Sequence, residues 1–258
     1  MMKINYHYFS IEEGENMTQI WAHRGASGYC PENTIEAFEK AIEMNSDGIE
    51  LDVQLTKDGQ IVVCHDELID RVSNHKGFLK DFTYEELASF NFNNKMDEKY
   101  PFCKIPLLSQ VLELIKPTKL VLNIELKTSV FHYEGIEQKV VDMVKEYGLE
   151  DRIIYSSFNH QSIVNLLNIN PQANCGFLHS DGIIDICQYA KKYHVNNLHP
   201  IFYYLLDKDY VRNAFLANLK INSYTINDPQ YIKASLALNI NAIITNYPDV
   251  ALQIRDCK

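Results

Sequence analysis

The fold class this sequence predicts is α/β, specifically a TIM barrel of eight parallel strands with helices between them, and three observations predict it. Short apolar or β-branched runs alternate with amphipathic segments along most of the chain, the pattern of a parallel sheet with crossover helices. The 258 residues, 46% of them hydrophobic, suffice for one large core. Nothing like GxGxxG or GxxxxGK[ST] follows a strand, so the alternative, a doubly wound open sheet, has no local nucleotide-binding motif to support it.

Taken in order, the candidate strands lie near 19–23, 48–53, 60–65, 120–126, 152–156, 173–178, 195–198, 220–225 and 241–245. Amphipathic segments fall at 34–44, 107–115, 134–147, 160–168, 183–193, 207–217 and 229–238. One strand pair breaks the alternation. Segments 48–55 and 60–65 are joined only by Thr56-Lys57-Asp58-Gly59, and the Asp-Gly step marks a tight hairpin. Parallel neighbours cannot be connected in so few residues. Segment 60–65 is therefore read as a return arm, which leaves eight staves for the barrel. The stretch from Glu67 to Pro106 has weak periodicity and reads as an insertion on the strand-end face, a small cap with a helix around Thr83 to Ser89. A single domain over 1–258 is expected, with residues 1–18 loosely held ahead of the first strand. In the stretch PENTIEAFEKA, Asn33 and Glu36 have the spacing of a capping box.

Composition excludes several functions. A formal charge of −10 and a pI near 5.4 provide no basic field for a nucleic-acid backbone. No apolar run is long enough to span a bilayer, and the N-terminus has neither a basic nor an apolar signal region. The six cysteines, Cys30, Cys64, Cys103, Cys175, Cys187 and Cys257, form no CxxC pair, which fits a reducing cytoplasm. Cys30, close to the candidate site, reads as a bystander. The sequence carries no signal for an oligomeric state.

Glu50 and Asp52 are two apart in GIELDV, so they share one face of a strand. Two inward carboxylates repel unless a cation lies between them or one keeps its proton. An outward placement is the other possibility, but the outer face of a parallel barrel is covered by helices. Glu125 and Lys127 repeat the same step in LVLNIELKT, which offers a third carboxylate and a cation. Three oxygen ligands without a convergent Cys or His pattern suit one hard divalent ion, magnesium or calcium. His23 and His65 each stand where a strand meets a loop, the place at which barrels gather active-site groups, and two imidazoles suit paired acid and base work. Arg24 offers a planar fork of donors for phosphate oxygens. Glu32 is a candidate supporting group.

The segment WAHRGASGYCPENTIEAFEKAIEMNSDGIELDVQLTKDGQIVVCHD resembles the signature of the glycerophosphodiester phosphodiesterase family, with HRG, PENT, IELDV, TKDG and HD in order. The later pieces IPLLSQVL, NIELK, YSSFNH and IITNYPD extend the likeness from about Gln19 to Asp249. The resemblance implies a β/α barrel with a small insertion after HD. It also implies a divalent cation held by Glu50, Asp52 and Glu125, His23 and His65 as general acid and base, and Arg24 and Lys127 on the phosphate. The substrate class implied is a small glycerophosphodiester, cleaved to sn-glycerol 3-phosphate and an alcohol, a reaction of glycerol and lipid metabolism. Two departures stand out. Cys30 occupies the place of a small residue, and Tyr224 in SYTIN that of a common tryptophan, which makes Tyr224 a substrate-binding candidate and leaves headgroup preference open. The competing readings are a lysophospholipid-type phosphodiesterase and a catalytically silent barrel that binds phosphodiesters.

Overall fold

The computed structural model describes residues 17–96 and 98–257; the N-terminal residues expected to be loosely held lie outside it up to residue 16. The strands are β1 (Gln19–His23), β2 (Gly48–Leu55), β3 (Ile61–Val63), β4 (Val121–Leu126), β5 (Ile153–Ser157), β6 (Cys175–His179), β7 (Asn197–Pro200), β8 (Lys220–Ser223) and β9 (Ala242–Thr245). The helices are α1 (Ile35–Glu43), α2 (Tyr84–Ser89), α3 (Leu108–Ile115), α4 (Ile136–Tyr147), α5 (His160–Ile169), α6 (Ile186–Lys192), α7 (Lys208–Leu216), α8 (Pro229–Ala237) and α9 (Pro248–Asp256). Eight strands pair in parallel, and β1 closes the ring by pairing with both β2 and β9. The barrel is thus closed, as the alternation predicts, and the open-sheet alternative falls.

The return arm is also where the sequence places it. β3 runs antiparallel to β2 with Val53 opposite Val63 and Leu55 opposite Ile61. The turn is tied by Thr56 N–H to the Gln60 carbonyl at 3.0 Å, and Gly59 adopts φ +76°, a conformation that costs glycine little.

Two expectations need correction. The cap of α1 is Thr34, not Asn33: the Thr34 hydroxyl accepts from Ala37 N at 3.3 Å, and no Asn33–Glu36 box forms. Asn33 instead sits at φ +56° with its side chain on Asp52, where a buried carboxylate competes more strongly for the amide than a helix end does. A C-terminal helix, α9, is absent from the sequence reading; it starts at Pro248, inside the NYPD piece, and buries Pro248 and Ala251. Smaller shifts affect β6 and β7, each of which begins two residues later than expected.

The main core lies between the strands and the helices, with Phe38, Leu112, Val140, Leu166 and Ile232 among its fully buried members. Burial of one such side chain contributes about 1.5–3 kcal/mol. Inside the barrel Trp21, Ile154, Ala242 and Ile244 fill the axis. Toward the N-terminal ends of the strands a chain of amides crosses from strand to strand: Asn241 donates to Asn222 at 2.6 Å, Asn222 to Asn197 at 3.3 Å, and Asn197 to Asn174 at 2.6 Å. Buried amides of this kind fix the register, because slipping one strand strands several donors. The 67–106 stretch holds its own small core of Ile69, Val72, Leu79, Leu87, Phe90, Phe92 and Ile105 against Val62 and Cys64 of the return arm. Helix α2 within it starts at Thr83, where a capping box with Glu86 does form.

Candidate active site

The C-terminal ends of the barrel strands and the return arm bring seven of the sequence-predicted residues together, His23, Arg24, Glu50, Asp52, His65, Glu125 and Lys127. Glu50 and Asp52 lie on β2 and Glu125 on β4, where Asp52 is directly opposite Glu125 in the register. One carboxylate oxygen from each of the three lies within 4.8 Å of the others, and all three residues are buried. The inward placement is therefore the observed one. Lys127 leaves the end of β4 and donates to Glu125 Oε1 at 3.0 Å, with Asp52 Oδ1 at 4.0 Å. Burial would lower this ammonium, but Glu125 and Asp52 outweigh it and hold its pKa above the ordinary lysine value.

His23 ends β1. The next two residues turn left-handed, Arg24 at φ +55° and Gly25 at φ +77°, and a Cβ on Gly25 would meet Ala37 backbone at 2.6 Å. The turn aims Arg24 N–H at Glu50 Oε2, 3.0 Å away. Its guanidinium donates from Nη1 to Glu32 Oε1 at 2.8 Å, while Nε lies 3.5 Å from Asp52 Oδ2 without a hydrogen-bond partner. A non-glycine residue in this region costs about 1–3 kcal/mol, a strain that collects at functional sites.

The two histidines share an arrangement. His23 donates from Nδ1 to Asn246 Oδ1 at 2.7 Å, which leaves Nε2 facing Glu50 Oε2 at 4.0 Å. His65 donates from Nδ1 to Asp66 Oδ1 at 2.6 Å. In each ring one nitrogen is tied off and the other is free for proton transfer. Burial, then the Arg24 charge, push the His23 imidazole down to about 4, so it stays neutral at pH 7. Burial would raise Asp66, but hydrogen bonds from His65 and Arg71 hold it well below the usual carboxylate range.

The acids divide by environment. Glu50 is raised well above its ordinary value by burial, then by Asp52 and Glu125; Glu125 is raised by burial and by Asp52, against the pull of Lys127. Burial would also raise Asp52, yet His65, Arg24, Lys127 and the Asn33 amide keep it ionised. Without a cation, burial and the neighbouring carboxylates therefore favour the protonated form of Glu50. Asp52 Oδ1 is buried without a hydrogen-bond partner, and the donor set is three hard oxygens. These residues fit a divalent ion.

Tyr224 follows β8 at the barrel mouth, edge-on to Phe158 with ring centroids 5.9 Å apart. Its hydroxyl donates to the His179 carbonyl at 3.2 Å, so the polar end of the phenol is occupied by backbone. Cys30 is buried with Sγ 2.9 Å from the Tyr100 hydroxyl.

Two supporting residues escape the sequence reading, and a third, Asn33, has a different role from the helix cap expected of it. Asn246, just after β9, orients His23. Arg71, in the 67–106 stretch, grips Glu32 through both Nη atoms at 2.7 and 2.8 Å and Asp66 through Nε at 2.7 Å. Asn33 donates to Asp52 Oδ2 at 2.9 Å. Glu32, read as a supporting group, does bridge Arg24 and Arg71.

Comparison with known proteins decides the family. Residues 23–250 match the glycerophosphoryl diester phosphodiesterase family. The chain belongs to this family. Among its relatives are glycerophosphodiester phosphodiesterases of Caldanaerobacter subterraneus subsp. tengcongensis, 39% identical over 237 residues covering 92% of this chain and 97% of the relative, and of Bacillus altitudinis, 40% identical over 242 residues covering 93% and 99%. Among solved structures, an Oleispira antarctica phosphodiesterase in complex with the product sn-glycerol 3-phosphate superposes with a TM-score of 0.85 at 26% identity, covering 93% of this chain and 97% of that one. The enzyme class expected from the sequence, a phosphoric diester hydrolase, is that of the family. No helix among the described residues is long and apolar enough to cross a membrane.

Proposed function

We propose that this protein hydrolyses small glycerophosphodiesters to sn-glycerol 3-phosphate and an alcohol, using His23 and His65 as the acid and base pair. The observation that carries the reading is the juxtaposition of three buried carboxylates within 4.8 Å of one another with two imidazoles whose Nδ1 atoms are both already bonded. Glu50, Asp52 and Glu125 would hold one magnesium or calcium ion, which supplies positive charge beside the phosphodiester. Arg24 and Lys127, both at the edge of the cluster, bind the phosphate oxygens. One histidine takes the proton of the attacking hydroxyl and the other gives a proton to the leaving alcohol. With the neighbouring glycerol hydroxyl as attacker, a new P–O bond forms as the P–O bond to the alcohol breaks, and water then opens the cyclic phosphate. The Tyr224 ring, with its hydroxyl turned to backbone, offers an apolar wall to the alcohol or glycerol carbons. A cytoplasmic location fits the six unpaired cysteines.

Two substrates test the chemistry. Glycerophosphocholine should yield glycerol 3-phosphate, and an analogue lacking the adjacent hydroxyl should be inert. Cleavage of the analogue at a comparable rate would replace the cyclic route by direct attack of water. Turnover of lysophosphatidylcholine with none of glycerophosphocholine would favour the lysolipid reading.

A further inference from the structure

We infer that Gln54 is a positioning residue for His65 and that Tyr133 sets the direction of its amide; this rests on the proposed role of His65. The two-residue period of β2 presents Glu50, Asp52 and Gln54 on one face, and Gln54 is fully buried. Its Nε2 lies 2.9 Å from the Cys64 carbonyl, 3.2 Å from that of His65 and 2.9 Å from that of Asp66. Three successive carbonyls thus converge on one amide nitrogen that carries two hydrogens. The chain at 64–66 is wrapped around the Gln54 side chain.

The need for such a clamp follows from the shortness of β3. That strand ends at Val63, and the last ladder-like bond on its side is Cys64 N–H to the Asp52 carbonyl at 2.9 Å. Beyond it no strand pairing holds the His65 peptide, and Gln54 does so in its place. The ring itself is gripped from the other side, through Nδ1 on Asp66, which Arg71 holds in turn.

Tyr133 gives the amide its direction. The phenol donates to Gln54 Oε1 at 2.8 Å. If the amide turned over, Oε1 would face three carbonyl oxygens and the phenol would meet Nε2, so only one orientation satisfies every group. Tyr133 lies in the loop that leaves β4 beyond Lys127. β2 therefore carries two of the carboxylates and the clamping Gln54, which ties the position of the His65 peptide to that of Glu50 and Asp52. Neither Gln54 nor Tyr133 touches the reacting atoms.

The test compares Gln54→Met, which keeps length but loses donor and acceptor, and Tyr133→Phe, each in the wild-type and His65→Ala backgrounds. Turnover of glycerophosphocholine and the metal-induced rise in melting temperature are measured for all. Gln54→Met is expected to lower kcat about 100-fold, the effect of displacing a catalytic group by roughly 1 Å, with KM within about threefold and the metal-induced rise retained. In the His65→Ala background the same substitution should cost less than about threefold, because two changes acting through one group do not add. Tyr133→Phe should show a smaller loss, about tenfold, that also disappears without His65. A kcat for Gln54→Met close to wild type, or an equal loss in both backgrounds, overturns the inference. If Gln54→Met does not fold, the Tyr133→Phe pair decides by the same rule. Full activity of His65→Ala alone, with Gln54 intact, defeats the assigned role of His65 and the inference with it.

Discussion

Glu50→Gln should have opposite consequences with and without a divalent ion. Two ionised carboxylates within 4.8 Å of one another repel by about 3.5 kcal/mol or more at an effective dielectric of 20. In the metal-free protein this repulsion favours a proton on Glu50, whose carboxyl is raised well above its ordinary value by burial and then by Asp52 and Glu125. Glutamine keeps the shape, keeps an oxygen for Arg24 N–H, and never ionises. In chelator the variant should therefore melt at or above the wild-type temperature. In magnesium or calcium at 100 times the dissociation constant, the wild type gains about 2.7 kcal/mol, since the ion binds only the folded chain. For a chain of this size that is a rise of about 5–10 °C. The variant should show less than a third of it. Ion binding should also release more protons from the wild type than from the variant. Differential scanning calorimetry in chelator and in each ion, with calorimetric titration in buffers of different ionisation heat, measures both. Equal thermal responses in wild type and variant would refute the assignment of Glu50 as a ligand, and a destabilised metal-free variant would refute the electrostatic account of the cluster.

Two further outcomes follow from single contacts. Asn246→Ala removes the acceptor that orients His23, and kcat should fall about 10–100-fold with little change in KM, by the size of comparable losses when a supporting hydrogen bond is removed; steady-state kinetics within twofold of wild type would contradict it. His199 is fully buried, and burial, then His179, push its pKa down to about 3. The folded chain keeps this group neutral while the unfolded chain protonates it below about 6.5, so its contribution to stability is lost as pH falls, by about 1.4 kcal/mol per pH unit. In urea unfolding between pH 6 and 4, the stability of the wild type minus that of His199→Gln should decline at about that slope, and a flat difference would show that His199 does not stay neutral in the fold.

The parts of this architecture that depend on local period were legible in the sequence. Glu50 and Asp52 could be placed on one inward face because a strand alternates sides, and the Asp58-Gly59 turn marked β3 as antiparallel because no parallel connection is so short. The same reasoning carried Glu125 and Lys127 to the barrel mouth. What escaped depends on contacts between distant segments. Asn246 meets His23 across 223 residues and Arg71 meets Glu32 across 39, and neither spacing leaves a periodic trace. Asn33 was misread because its spacing to Glu36 mimics a capping box, whereas the buried Asp52 claims its amide. Gln54 continued the very period that singled out Glu50 and Asp52, but a neutral amide gives no charge to account for, so only the folded carbonyls of 64–66 reveal its use.

The most direct test of the central claim is release of sn-glycerol 3-phosphate from glycerophosphocholine by the purified protein, in chelator, magnesium or calcium, with His23→Ala alongside. The account predicts release that requires one of the two ions and is lost in the variant. Release that persists in chelator, or that survives the loss of His23, would contradict it.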